Sequence, residues 1–121
     1  MIEERLARNF KLSELACPCC LKCEMNEVLI TRIQTLRDLF GPIIITSGYR
    51  CMKQNKKVNG SIKSQHLKVN AVDIRVIGFN SIVRFKLIKT VFELGFTGIG
   101  IGVNKFHVDI RDGPPKQWSY P

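Results

Sequence analysis

Two short stretches limit the possible fold more than anything else in the chain, because each alternates polar residues with apolar, mostly β-branched ones. In Ala71-Val-Asp-Ile-Arg-Val76, residues Ala71, Asp73 and Arg75 fall on one side of an extended strand, and Val72, Ile74 and Val76 fall on the other. In Lys105-Phe-His-Val-Asp-Ile-Arg111, residues His107, Asp109 and Arg111 oppose Phe106, Val108 and Ile110 in the same way. Such alternation belongs to a sheet with one face in a core and the other carrying polar groups. Two further strands are predicted. One is the glycine-alternating run Gly98-Ile-Gly-Ile-Gly102, and the other is the β-branched run from Ile43 to Thr46, which turns at Ser47-Gly48.

Helical spacing occurs twice. After a cap at Asn26, the residues Val28, Leu29, Ile33, Leu36, Leu39 and Phe40 recur until Gly41-Pro42 stops them. Asn80 or Ser81 opens a second helix carrying Ile82, Val83, Leu87, Ile88, Val91 and Leu94, closed by Gly95. Between Asn9 and Ala16 a short helix capped by Ser13 is expected to lie against the domain. Lys53 to Lys63 reads as a polar stretch, and the tail with Trp118 and Tyr120 as a cover for the domain edge. The prediction is one α+β domain over residues 1–121, with a small, mainly antiparallel sheet packed against two main helices and its polar face left open.

The formal net charge of +9 favours an anionic partner. Its basic residues are scattered without interleaved aromatics, so a dedicated nucleic-acid surface is not expected and an anionic wall polymer fits as well. No apolar run reaches the roughly 20 residues that span a bilayer, and Met-Ile-Glu-Glu-Arg lacks the order of a signal peptide. A soluble monomer, cytoplasmic as synthesised, is expected. Cys17, Cys19, Cys20 and Cys23 crowd too closely to pair among themselves without strain. They read as reduced thiols or, with Cys51 as a distant fifth, as ligands to a second metal; both readings stay open.

His66, Asp73 and His107 include both histidines of the chain. Two imidazoles and a carboxylate are what a catalytic zinc takes when it keeps a position for water, so hydrolysis is the first functional hypothesis. If the strands of Asp73 and His107 neighbour one another, both ligands project from the open sheet face, and His66 enters from the loop before the first strand. A polar side chain without a partner in such a run is costly, so each needs a metal or a buried hydrogen bond.

Ser64-x-His66, Ala71-x-Asp73, His107-Val-Asp109 and the preceding Ser47-Gly-Tyr-Arg-Cys51 together resemble the signature of the zinc D-alanyl-D-alanine carboxypeptidases and related peptidoglycan L,D-endopeptidases, phage endolysins among them. The resemblance implies that His66, Asp73 and His107 bind Zn2+ and that the chain hydrolyses peptide bonds in peptidoglycan stem peptides. It also implies that Arg50, Tyr49 and Ser64 bind substrate, with Arg50 holding a carboxylate and Tyr49 packed beneath it, and that Ser64 and Gln65 support the His66 loop. Reaching the wall would need a holin-like release route.

Two positions depart from the pattern: Val69 replaces a glycine, and Asn104 stands where some members carry a carboxylate general base. Asp109 is the substitute base, with an alternative role as acceptor for a metal-bound histidine. Glu93 is the weaker choice. Val69 and Asn104 also support a second reading, a catalytically impaired metal-binding module that binds the cell wall or belongs to a phage structure.

Overall fold

The structure, a computed structural model, describes residues 5–20, 26–58 and 70–120. The Asp73 and His107 stretches do form strands. β1 (Arg5–Ala7) and β2 (Phe10–Lys11) make a small hairpin, followed by α1 (Leu12–Leu15), α2 (Glu27–Phe40), β3 (Ile43–Ser47) and α3 (Met52–Lys57). Then come β4 (Ala71–Val76), α4 (Ser81–Glu93), β5 (Gly98–Ile101), β6 (Phe106–Asp109) and β7 (Lys116–Ser119). Five strands form one sheet in the order β3-β4-β6-β5-β7, antiparallel except for the parallel β5–β7 pair.

The alternation sets the layers. Val72, Ile74, Val76, Phe106, Val108, Ile99 and Ile101 enter a core shared with Leu29, Ile33 and Leu36 of α2 and Leu87 and Val91 of α4. Both helices begin as the sequence suggests: the Asn26 side chain accepts from Val28 N at 2.8 Å and the Asn80 side chain from Val83 N at 2.9 Å. Gly95 follows α4 at φ +80°, a conformation that glycine adopts without strain.

Other elements differ from expectation. The cap of α1 is Lys11, not Ser13; Glu14 reaches back to accept from Lys11 N at 3.0 Å. Part of the polar stretch after Cys51 is helical, as α3, because the Cys51 sulfur accepts from Gln54 N and so caps it. The tail is an edge strand, and it makes the sheet mixed. Gly48 packs so tightly on α1 that a Cβ there would stand 2.4 Å from the Leu15 carbonyl oxygen, while Tyr49 N donates to that same oxygen at 2.9 Å.

Candidate metal centre

Asp73 and His107 occupy directly opposed positions of β4 and β6. Their side chains therefore rise together from the open face, where His107 Nδ1 stands 3.0 Å from Asp73 Oδ1. Two residues further along the same face, Asp109 Oδ2 meets His107 Nε2 at 2.6 Å. Arg111, two residues on again, clamps Asp109: its Nη2 donates to Oδ2 at 2.7 Å, its Nε to Oδ1 at 3.0 Å, and its backbone N–H to Oδ1 at 3.1 Å.

The other strands make room for this chain of groups. Gly98 faces Asp109 across the β5–β6 ladder, and a Cβ on Gly98 would lie 2.1 Å from Asp109 Oδ1. Gly100 faces His107 and, on its other side, Trp118 of β7, where a Cβ would lie 2.6 Å from the indole nitrogen. The Trp118 ring sits 5.1 Å from the imidazole centroid and 5.0 Å from the Arg111 guanidinium. The glycines that mark β5 in sequence are thus the space occupied by the carboxylate and the indole.

Electrostatics favours positive charge between the two carboxylates. Burial works to raise the Asp109 pKa, but the hydrogen bonds from His107 and Arg111 prevail and hold it at about 2. A neutral imidazole has one donor and one acceptor, so between two carboxylates one ring nitrogen must turn its lone pair toward a carboxylate oxygen. That contact is repulsive unless a proton or a metal cation lies between the two atoms. Burial lowers the His107 pKa, yet the Asp109 and Asp73 carboxylates outweigh it and shift it upward. A metal would serve the same two lone pairs, since ligand bonds of about 2.0–2.2 Å bring such donors to comparable separations.

Arg50 is half-buried and lies within the field of Asp73; burial weakens its basicity while the Asp73 charge opposes the shift. A bulge between Ile45 and Ser47 puts Ser47 opposite Asp73, and so delivers the following Tyr49 and Arg50 to this end of the sheet. A cleft of about 410 Å³ between α1 and α3 is lined by Ser13, Glu14, Ser47, Arg50 and Gln54 among others, and by neither Asp73 nor His107. Tyr49 is tied down by its main chain to Leu15. Ser64, Gln65, His66 and Val69 lie outside the described residues. Glu93 is on the exposed side of α4, 3.9 Å from Lys89.

Asn104 has a structural use that sequence does not reveal. It sits at φ +45° in the β5–β6 turn and grips the Val76 backbone from both ends of its amide, accepting from Val76 N at 2.9 Å and donating to Val76 O at 3.0 Å. Asn104→Asp would lose the donor and set a charge against the Val76 carbonyl. It is expected to destabilise the fold by about 1–3 kcal/mol in a denaturant titration, with no gain in any hydrolytic activity. Arg111 and Trp118 adjoin Asp109 and His107, a placement that the sequence did not indicate directly. The only signal was the spacing His107-x-Asp109-x-Arg111, which puts imidazole, carboxylate and guanidinium on one strand face.

No curated protein matches the chain significantly. A family model described as Peptidase M15 matches residues 8–111, a span that includes every motif behind the resemblance, and the chain therefore belongs to the Peptidase M15 family.

Proposed function

We propose that the protein is a zinc-dependent peptidase that hydrolyses peptide bonds in peptidoglycan stem peptides. The observation that carries this reading is the imidazole of His107 held between two carboxylates, with one nitrogen fixed by Asp109 and the other turned to Asp73. Asp73, His107 and His66 would hold the ion. Zinc bound there would supply Lewis acidity toward the scissile carbonyl and a water acidic enough to act near neutral pH.

The protein's own groups divide the remaining work. Asp109 fixes the His107 tautomer and ring plane, so that Nδ1 keeps its lone pair for the metal. The full burial of the Asp109 side chain, with both oxygens engaged by His107 and Arg111, supports the role of acceptor behind the imidazole over that of proton carrier. Arg50, at the wall of the cleft, would pair with a carboxylate of the stem peptide. The net charge of +9 would favour adsorption to an anionic wall, reached by a holin-like release route. The impaired-module reading loses one of its two supports, because Asn104 is accounted for by its grip on Val76.

Mass analysis of purified sacculi incubated with the zinc-loaded protein tests the proposal. New amino and carboxyl termini within the stem peptides are expected, absent with Asp73→Ala. Zinc-loaded protein that leaves every stem peptide intact would sink it.

A further inference from the structure

The cysteines take no part in the proposed reaction, yet three of them converge. Cys17 is buried at the turn after α1, Cys20 is exposed on the same turn, and Cys51 lies half-buried between Arg50 and α3. Their sulfur atoms all lie within 4.8 Å of one another. Cys17 Sγ and Cys51 Sγ are 3.6 Å apart. That is far from the roughly 2.05 Å of a disulfide. It is close to the roughly 3.8 Å that separates two sulfurs bound to one tetrahedral zinc at Zn–S bonds of about 2.3 Å.

Backbone N–H groups point at two of these sulfurs. Cys51 N donates to Cys17 Sγ at 3.5 Å, and Gln54 N donates to Cys51 Sγ at 3.5 Å. Burial raises the Cys17 pKa, but backbone hydrogen bonds from Cys51, Cys20 and Cys19 carry it down to about 7. Cys17-x-x-Cys20 also has the spacing of a zinc knuckle, with Cys51 as the distant ligand. Lys53, Lys56 and Lys57 line the neighbouring groove beside Cys19, where they offset the negative charge that three thiolates leave on a divalent ion.

We propose that Cys17, Cys20 and Cys51 bind a zinc ion through three thiolates, at a site separate from Asp73 and His107. On binding, the thiol protons pass to solvent and no redox partner is needed. The ion fastens the cysteine turn to the loop that presents Arg50, independently of whether the protein is a peptidase. A water completes the coordination.

The test uses the full, reduced chain stripped with a chelator and then titrated with Co2+. A near-ultraviolet sulfur-to-cobalt charge-transfer band is expected, abolished by Zn2+. It should persist in Asp73→Ala/His107→Ala and vanish in Cys17→Ser/Cys51→Ser. Should the cysteine variant not fold, the unmodified chain decides: Zn2+ must protect Cys17, Cys20 and Cys51 from alkylation, read by peptide mass. No charge-transfer band in the unmodified chain, alkylation of these three unaffected by Zn2+, or a Cys17–Cys51 disulfide in the natively purified protein would overturn the proposal.

Discussion

Asp109→Ala should weaken zinc binding by about 10–100-fold and destabilise the fold by about 3 kcal/mol or more. The first effect follows because, in the proposed zinc site, His107 Nε2 would lose the carboxylate that holds its proton, so Nδ1 would no longer be reserved for the metal. The second follows because the Arg111 guanidinium, largely sheltered against Trp118, keeps its charge and loses its carboxylate. Asp109→Asn separates the two, since its amide oxygen can still accept from Nε2–H while the charge facing Arg111 is gone. It should retain more of the zinc affinity than of the stability. Zinc competition against a chromophoric chelator and a urea titration give the two values; unchanged zinc affinity in Asp109→Ala would remove Asp109 from the account.

Gly98→Ala is expected to do comparable harm from the opposite strand. The added Cβ would lie 2.1 Å from Asp109 Oδ1 and 2.3 Å from both Cγ and Oδ2. A flexible chain end would swing aside, but this carboxylate is held by an imidazole, a guanidinium and a backbone N–H. Overpacking by one methyl costs about 1–3 kcal/mol, and displacing the carboxylate adds the loss of its partners. The two substitutions must therefore be strongly non-additive: with Asp109 already alanine, the space is open and Gly98→Ala should cost little more. A double-mutant cycle by urea titration reads this directly, and additive losses would show that the Gly98 clearance does not serve Asp109.

The parts of this fold legible in the sequence are those whose signal is local. Asp73 and His107 could be placed on one face because their strands alternate strictly, and register then set them opposite each other. α2 and α4 could be read from apolar spacing and their asparagine caps. β7 could not, since Lys-Gln-Trp-Ser has no apolar alternation and its parallel pairing with β5 depends on contacts far away in the chain. The six-residue α3 is polar throughout apart from Met52, and is capped by a sulfur that no capping rule anticipates. Asn104 gave a misleading impression for a related reason. Its missing carboxylate is visible in sequence, whereas its grip on Val76 appears only once the β5–β6 turn is folded against the end of β4.

The central claim is that Asp73 and His107 are ligands to one metal ion, with Asp109 behind the imidazole. Anomalous scattering at the zinc edge from a crystal of the zinc-loaded protein tests it most directly. The predicted result is a peak bonded to Asp73 and to His107 Nδ1, with His66 as a further ligand and the Nε2 contact to Asp109 retained. A peak bonded to His107 Nε2, or none within bonding distance of these residues in a zinc-saturated crystal, would contradict it.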